Sequence, residues 1–395
     1  MLGHLKVLDL SRVLAGPWAS QLLGDLGAKI YKVEDPQRGG DETRRWGPSI
    51  PETELSPYYL CTNRNKETLW INFQTPEGQK QLRQMVELEG IDVVLENFLP
   101  GTLKKYGLDY ESLRALNPRL IYLSITGYGT GYGNVRRPGY DYILQAEAGL
   151  MSITGEADDK GGYPLRVGLP VIDLFTGMYG ANAIQAALIA RERTQQGTHI
   201  DLSLYEVATS ILANQGMNYL LSGVDPVRQG NTHPNIVPYQ LFQAKEGSFV
   251  LGVGTDRQFQ QLATFLLDLP EFAEESQVGE SLRKLKVHLE LWSTNRERLR
   301  QREELVLCLQ QIFLGKTALV WLELISQLPV PIPCGQVKTI KEVLTHASPT
   351  GRPLTVKARV LGGEKVEVEL IRHPFHFSSY SLDRYEIDSS QLRRR

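Results

Sequence analysis

Short apolar runs alternate with helical patterns along the first half of the chain. Residues 5–10 and 29–33 are apolar runs typical of buried strands, and apolar residues at 22, 23 and 26 give the segment between them a helical period. Gly27 fits the end of that helix. Two such parallel strands are joined by a right-handed connection. The chain therefore begins with a predicted strand–helix–strand unit.

The same alternation continues to about residue 221. Thr75 and Pro76 suit the cap and the first position of a helix, and Asn117-Pro118 suits a helix end. Further predicted helices cover 75–90, 109–116, 170–192 and 205–221, and further predicted strands cover 91–95, 120–125 and 198–204. This pattern predicts a doubly wound, Rossmann-like α/β sheet with helices on both faces.

The character of the sequence changes near residue 223. Residues 223–238 are rich in Pro, Gly and Asn and indicate a linker. A hairpin over 239–254 and a helix capped by Asp256 then predict a smaller inserted α+β domain. A second hairpin, with strands over 354–360 and 365–370, follows where the alternation returns. The predicted domains are 1–222 (large, N-terminal part), 223–327 (small) and 328–395 (a C-terminal part that returns to the large domain).

Composition and charge narrow the classes of function. The 395 residues are 42% hydrophobic and 22% charged, with a formal net charge of -2, which is unlike the single-sign field of a nucleic-acid or membrane-surface binder. We see neither a signal peptide pattern nor a run of about 20 apolar residues. Three widely spaced cysteines do not predict disulfides or a zinc site. We expect a cytoplasmic protein with neither nucleic-acid nor membrane partners.

The absence of several sequence motifs further limits the kinds of reaction that the chain could catalyse. A GxGxxG fingerprint does not follow the first strand, and residues 11–18 form a bend there, where doubly wound sheets bind ligands. Taken by itself, this bend is better interpreted as an ordinary tight connection. The glycine-rich segment 127–133 lacks the Lys of a phosphate-binding loop. The histidines show no metal-binding spacing, and a GxSxG elbow is missing.

Asp173 stands in the first turn of the helix that Pro170 opens. The helix dipole stabilises a carboxylate at this position. Apolar neighbours surround it in sequence, and Gly177 and Gly180 leave room beside the helix. An isolated carboxylate in an apolar, glycine-rich pocket suits a covalent nucleophile. A buried structural cap is equally compatible with this pattern.

Taken together, these segments resemble the class III CoA-transferases, the family of formyl-CoA and carnitine CoA-transferases (CaiB/BaiF family). The first matching segment is Leu8-Asp-Leu-Ser-Arg-Val-Leu-Ala-Gly-Pro17. The order and spacing of the matching segments carry the resemblance, which is thin over 225–325. The other matching segments are residues 23–34, 40–44, 63–66, 96–101, 116–122, 139–141, 150–155, 197–204 and 332–335.

The resemblance implies a CoA-transferase that moves CoA from an acyl-CoA thioester to a free carboxylic acid. Asp173 occupies the place of the family's catalytic aspartate, which carries CoA as an aspartyl-CoA thioester. CoA is then a substrate, and the family needs no permanently bound cofactor and no metal. The family's active form is a homodimer of two interlocked, ring-like chains.

Site residues follow from the same resemblance. The CoA contacts it implies are Val13, Leu14, Ala15, Ile71, Asn97, Phe98 and Lys105, and a basic residue at 105 suits a phosphate. A covering loop corresponds to Gly252 and Gly254, and is shorter than is usual in the family. Arg12 and Tyr140 are candidates for the substrate pocket.

Two alternatives stand beside CoA transfer. Acyl-CoA racemases of the same family pair an aspartate with a histidine base, but Tyr140 stands before Asp141 here, and unperturbed tyrosine is a poor base. The other alternative is a CoA-binding protein without catalysis. The divergent 225–325 region favours it, whereas the presence of Asp173 does not.

Overall fold

The computed structural model describes residues 1–50, 55–130, 137–269, 276–361 and 367–388. The chain forms two compact units. One comprises Met1–Ser152, Leu165–Pro226 and Ala347–Arg395, and the other comprises Ile153–Pro164 and Val227–His346. We call them the large unit and the small unit.

A parallel sheet is the frame of the large unit. Its strands are β1 (Lys6–Asp9), β2 (Lys29–Glu34), β3 (Lys66–Trp70), β4 (Val93–Glu96), β5 (Ile121–Thr126) and β6 (Thr198–Ser203). They lie in the order β3-β2-β1-β4-β5-β6, and all neighbours pair in parallel. This order confirms the predicted Rossmann-like sheet. It reverses between β1 and β4, where a crevice for ligands is expected at the carboxyl ends of the strands.

The large unit also contains helices, several of which pack on the two faces of this sheet. They are α1 (Ala15–Asp25), α2 (Pro57–Leu60), α3 (Pro76–Leu88), α4 (Tyr110–Arg114), α5 (Asp141–Glu147), α6 (Val171–Thr194), α7 (Leu204–Ser210) and α8 (Ala213–Ser222). Successive residues of a strand point to opposite faces. Val7 accordingly packs in a core with residues of α1 and α6, whereas Leu8 packs in a second core with residues of α3 and α4.

Local rules explain most of these boundaries. The Thr75 hydroxyl accepts a hydrogen bond from Gly78 N at 3.1 Å, with Pro76 at the first position of α3, as predicted. The single helix predicted over 205–221 is wrong, because Ala213 adopts a positive φ of 44° and separates α7 from α8. Strand β3 was not predicted. Its segment Lys66–Trp70 begins with three polar residues, Lys-Glu-Thr, and lies at the edge of the sheet.

The small unit has an antiparallel sheet and its own core. Strands β7 (Tyr239–Gln243), β8 (Ser248–Gly252) and β9 (Cys334–Gln336) pair in that order, which confirms the predicted hairpin over 239–254. Its helices are α9 (Asp256–Leu267), α10 (Gln277–Val287), α11 (Asn295–Arg300), α12 (Arg302–Phe313), α13 (Ala318–Ser326) and α14 (Ile340–Thr345). The predicted boundary between 327 and 328 falls inside this unit because β9 pairs with β8.

One predicted cap in the small unit is wrong by a residue. The N-cap of α9 is Thr255, whose hydroxyl accepts a hydrogen bond from Gln258 N at 3.2 Å. Asp256 follows in the first turn and pairs with the buried Arg298 at 2.8 Å. The capping box formed by Thr255 and Gln258 makes the hydrogen bonds at the start of the helix that were predicted for Asp256.

The C-terminal part returns to the large unit as a small sheet. Strands β10 (Thr355–Leu361) and β11 (Glu367–Ile371) form the predicted hairpin, and β12 (Glu386–Asp388) pairs in parallel with β10. The predicted hairpin turn after Leu361 and the polar tail over 391–395 lie outside the described residues.

Across the described ranges, a single helix that is both long and apolar enough to cross a bilayer was not found. Helices α12 and α13 pass that test only together, and they are bent by 105° relative to each other.

Candidate active site

A cavity of about 390 Å³ opens at the carboxyl ends of the central strands of the large unit. The loops that follow β1, β4 and β5 meet there, and the first turn of α6 joins them. Carboxyl ends of parallel strands share one edge of a sheet, so residues distant in sequence converge. Its lining includes Arg12, Val13, Leu14, Ala15, Glu42, Asn97, Phe98, Thr126, Tyr128, Arg137, Tyr140 and Asp173.

Asp173 is the acidic residue of α6 that lines this cavity. Burial raises the pKa of its carboxyl group to about 7, and the negative charge of Asp141 adds to the effect. Desolvation disfavours the charged form of a carboxyl group, and a second carboxylate nearby does the same. Such perturbed groups in clefts are candidates for functional sites. The structure thus makes Asp173 chemically distinct from an ordinary first-turn acid.

Asp141 supplies the cap that α6 lacks in its own sequence. Pro170, the N-cap residue, makes no side-chain cap hydrogen bond. The Asp141 carboxylate instead accepts hydrogen bonds from Ile172 N at 2.7 Å and from Asp173 N at 3.3 Å. The expectation of an isolated carboxylate is therefore wrong, since a second one lies at the same helix end.

Gln145 fixes the orientation of Asp141. Its amide nitrogen donates to the other Asp141 oxygen at 2.6 Å, and its amide oxygen accepts from Val167 N at 2.8 Å. Both side chains are buried. The cap of α6 is thus held from α5 and from the segment that leads into α6.

We expect Asp141→Asn to move the pH dependence of activity to lower pH. The wild-type kcat/KM should rise through about pH 7 as the Asp173 carboxyl group ionises in the free enzyme. Asparagine removes the like charge but retains an oxygen that can accept from Ile172 N. A pH profile of kcat/KM measures the midpoint. Asp109→Asn, at the N-cap of α4, is the control, and an unchanged midpoint in Asp141→Asn would contradict the electrostatic role.

The two glycines of α6 serve packing rather than open space. A Cβ atom at Gly177 would lie 2.7 Å from the Ala15 carbonyl oxygen and 2.8 Å from a ring carbon of Trp18. One at Gly180 would lie 3.0 Å from Leu123. The expectation that they leave room beside the helix is wrong, because α1 and the sheet fill that room. Gly177 instead lets the helix of Asp173 approach the loop that lines the cavity.

Most of the predicted site residues lie in one place. Val13, Leu14, Ala15, Asn97 and Phe98, together with Arg12 and Tyr140, line the same cavity as Asp173. Tyr140 is 59% exposed, so its ring is available to a ligand.

Among the predicted CoA contacts, Asn97 also holds a neighbouring loop, and Ile71 lies away from the cavity. The Asn97 amide accepts from Arg12 N at 2.8 Å and donates to Arg12 O at 2.7 Å, so it holds the neighbouring loop. Ile71 is 5% exposed and packs in the core beneath the sheet, away from the cavity lining. Its buried side chain leaves only its backbone for a contact with a ligand.

Lys105 lines a neighbouring cavity of about 190 Å³. Arg12 and Phe98 border both cavities. The neighbouring cavity also contains Arg38, just after β2, and the rings of Phe73 and Tyr106, which pack edge to face 5.5 Å apart. Sequence reasoning missed Arg38. The sequence could have indicated it, because Arg38 follows closely after β2, the strand that lies next to β1.

Two arginines line the larger cavity, and each is paired with a glutamate. Arg12 pairs with Glu42 at 3.3 Å, and its guanidinium lies 5.3 Å from the centre of the Phe98 ring. Arg137 pairs with Glu147 and lies 4.8 Å from the centre of the Tyr128 ring. Arg136 and residues 131–133 of the glycine-rich segment lie outside the described residues.

Gly252 and Gly254, the predicted covering loop, belong to the small unit. Gly252 ends β8, and Gly254 N donates to the Gln258 side chain at 2.9 Å. Their role as a cover stays a prediction. In the part of the chain that the structure describes, we find no group of three His, Cys, Asp or Glu residues arranged to hold a metal ion.

Known proteins resemble this chain over almost its full length. The model of CoA-transferase family III matches residues 2–386. The succinate–glutarate CoA-transferase of Agrobacterium fabrum is 41% identical, over 99% of this chain and 92% of its own length. The succinyl-CoA:glutarate CoA-transferase of Homo sapiens is 40% identical, over 87% of this chain and 73% of its own length.

A solved structure shares the fold as well as the sequence. The crystal structure of a CaiB/BaiF family protein from Brucella suis matches with a TM-score of 0.78 and 39% identity, over 98% of this chain and 96% of that one. The curated relatives are named as CoA-transferases, which does not favour the racemase alternative. The chain belongs to CoA-transferase family III, enzymes whose substrates are CoA thioesters.

Proposed function

We propose that this enzyme exchanges CoA between short dicarboxylic acids through an aspartyl-CoA thioester on Asp173. One observation carries the proposal: the Asp173 carboxyl group lines the same cavity as the loop at Val13–Ala15 and as Asn97 and Phe98. The names of the relatives supply the substrate class, since two of them act between succinate and glutarate.

The exchange proceeds in four balanced steps. An Asp173 oxygen attacks the carbonyl carbon of the donor thioester, the carbon–sulfur bond breaks, and CoA thiolate leaves a mixed anhydride. The thiolate attacks the Asp173 carboxyl carbon, which releases the donor acid and forms the aspartyl-CoA thioester. The acceptor carboxylate then attacks that carbon and frees the thiolate again. The thiolate finally attacks the acceptor acyl carbon and restores the Asp173 carboxylate.

The environment of Asp173 supports this role. With a pKa of about 7, a substantial fraction of the side chain is ionised near neutral pH, and a desolvated carboxylate is a stronger nucleophile than a hydrated one. Covalent capture divides one difficult acyl transfer into easier steps. The reaction needs the carboxylate form at the start, so activity should fall as the pH drops below 7.

Arginines in the cavity support the dicarboxylic substrate class. A dicarboxylic acid keeps one carboxylate free while the other reacts. Arg12 and Arg137 both line the cavity of Asp173. Guanidinium groups bind carboxylates through charge-assisted, often paired hydrogen bonds. Such a pairing would distinguish a dicarboxylic acid from a monocarboxylic acid of equal length.

The neighbouring cavity suits the nucleotide end of CoA. Arg38 and Lys105 offer positive charge for its phosphates, and the rings of Phe73, Phe98 and Tyr106 offer apolar surface for the adenine. We expect Arg38→Ala and Lys105→Ala each to raise the KM for succinyl-CoA by about tenfold, worth about 1.4 kcal/mol, with kcat nearly unchanged. Steady-state kinetics measure both constants. A fall in kcat at constant KM would contradict this placement.

The working form in this proposal is a homodimer of interlocked chains. Helices α6 and α8 support it, because they present large apolar side chains to solvent within the large unit. These include Met178, Ile189, Met217, Leu220 and Leu221, which are 50% to 81% exposed. A second copy of the chain is the occupant that the family suggests. Sedimentation velocity measures the mass of the particles in solution, and particles of a single 44.4 kDa chain would contradict the homodimer.

An exchange assay tests the proposed function. The protein is incubated with succinyl-CoA and glutarate, and the thioesters are separated by liquid chromatography. We expect glutaryl-CoA to appear at the rate at which succinyl-CoA disappears, without net hydrolysis. Valerate, the monocarboxylic acid with the same number of carbons as glutarate, is the matched control acceptor and should react much more slowly. Hydrolysis alone, or α-proton exchange with solvent without transfer, would contradict the proposal.

A further inference from the structure

The loop between β1 and α1 holds an unusual backbone conformation at the cavity wall. Val13 has a positive φ of 70°, which is rare for a β-branched residue. Its backbone N–H donates to Asp41 Oδ2 at 3.2 Å. Residues in such conformations persist where the surroundings hold them in place. The carboxylate of Asp41 is the contact that holds the amide of Val13.

Asp41 is itself fixed by buried partners. Its other oxygen accepts from Thr43 N at 3.0 Å and from the Thr43 hydroxyl at 2.7 Å. The Lys32 ammonium donates to Asp41 Oδ2 at 3.1 Å, and both of these side chains are fully buried. Burial opposes ionisation of Asp41, but Lys32 and the hydrogen bonds outweigh it and hold the pKa of its carboxyl group below the ordinary value.

Lys32 holds the same loop from a second side. Its ammonium also donates to Ser11 O at 2.9 Å. One buried ion pair therefore binds a carbonyl group and an amide of the loop two residues apart. Asn97 adds its two hydrogen bonds to the backbone of Arg12, which lies between them. Each residue of the segment 11–13 thus has its backbone fixed by a side chain from another element.

A buried ion pair is a poor means of stabilising a fold by itself, because desolvation offsets much of the attraction. Here the pair contacts the backbone of a strained loop that lines the cavity of Asp173. We infer that Asp41, together with Lys32, is a positioning residue that holds Val13 and its neighbours in the conformation that binds the CoA thioester. This inference rests on the proposed function.

The chain offers a matched control for a purely structural role. Asp25 and Arg64 form another buried ion pair in the large unit, with hydrogen bonds of 2.6 and 2.8 Å. Their side chains are nearly as buried as those of Asp41 and Lys32, but neither residue lines the cavity of Asp173. Asp25→Asn therefore reproduces the loss of a buried charge without touching the loop.

The test compares Asp41→Asn with Asp25→Asn by steady-state kinetics, with rates corrected for the folded fraction. We expect both variants to melt at a lower temperature. Asp41→Asn should raise the KM for succinyl-CoA about tenfold, with a smaller change in kcat, whereas Asp25→Asn should change KM by less than about twofold. Equal changes of KM in the two variants would overturn the inference.

A second comparison isolates the strained backbone. Glycine adopts a φ of 70° without steric strain. In a Val13→Gly background, Asp41→Asn should therefore raise KM by no more than about threefold. An undiminished effect of Asp41→Asn in that background would show that the amide of Val13 is not what Asp41 positions, and would overturn the inference.

The inference can still be tested if Asp41→Asn does not fold or if the wild-type protein is inactive. If Asp41→Asn does not fold, the melting temperature of Val13→Gly decides: an increase supports a strained loop held by Asp41, and no increase overturns it. If the wild-type protein exchanges no CoA, the proposed function fails on its own. The Kd of CoA, measured by calorimetry for Asp41→Asn and Asp25→Asn, then decides on positioning, with equal values overturning it.

Discussion

Asp173→Asn is expected to lower the rate of CoA exchange by about 10⁴-fold or more. The amide is nearly the same size as the carboxyl group but cannot attack the thioester, and loss of a covalent nucleophile has effects of this order. The variant should still bind CoA thioesters, because the loop contacts remain. The exchange assay with succinyl-CoA and glutarate measures the loss, and calorimetry measures the retained binding.

The stability of the same variant provides its folding control. The pKa of Asp173 in the folded protein, about 7, lies above the ordinary value of 3.8. A raised pKa means that the stabilising contribution of the protonated form is fully present below pH 3.8 and is lost as the pH rises through 7. Asp173→Asn should therefore melt at a higher temperature than the wild type at pH 8. Activity within tenfold of the wild type would contradict a nucleophilic role.

Gly177→Ala is expected to reduce both stability and activity, although it adds a single methyl group. That methyl would lie 2.7 Å from the Ala15 carbonyl oxygen and 2.8 Å from Trp18, so α6 must move away from α1. Overpacking of this kind costs about 1–3 kcal/mol. A shift of about 1 Å at Asp173 can lower kcat by about 100-fold. Thermal unfolding and steady-state kinetics measure the two effects.

Gly216→Ala is the matched control for that substitution. Gly216 also lies inside a helix, but a Cβ atom there would meet only the side chain of Leu212, at 3.4 Å. Alanine in an open helical position should raise stability by about 0.5–1 kcal/mol. Equal losses of activity in the two variants would show that Gly177 has no special relation to Asp173.

The convergence of the cavity residues was predictable from the sequence. Val13, Asn97 and Tyr140 each follow a strand of the predicted parallel sheet, and Asp173 begins a helix beside it. The carboxyl ends of such strands meet at one edge, so the doubly wound pattern alone brings these residues together. The resemblance to the family supplied the role of Asp173, which helix physics had left open between a cap and a nucleophile.

Contacts between distant residues could not be read from local patterns. Asp141 caps a helix that begins 30 residues later, and a short-range capping rule cannot find such a partner. The ion pair of Lys32 and Asp41 joins a strand that appears ordinary to a loop that appears solvated. Only the folded structure shows that the side chains of Lys32 and Asp41 both bind the backbone of the segment 11–13.

Some features were mispredicted or missed because the sequence does not show which residues pack around a given position. Gly177 was interpreted as open space because the sequence does not show that Ala15 and Trp18 occupy it. The CoA contact at Ile71, which the family resemblance implied, stays a prediction, and the packing of its side chain in the core limits it to a backbone contact. Strand β3 was missed because its first three residues are polar, so it lacks the continuous apolar run that marks the central strands.

Trapping the covalent intermediate tests whether Asp173 carries CoA as a thioester. The protein is incubated with succinyl-CoA without an acceptor acid, treated with borohydride, digested and analysed by mass spectrometry. Borohydride reduces a thioester to an alcohol, so we expect the residue at position 173 to become homoserine in the wild type. Asp173→Asn should remain unmodified. Full exchange activity with an unmodified Asp173, or trapping at another residue, would contradict the account.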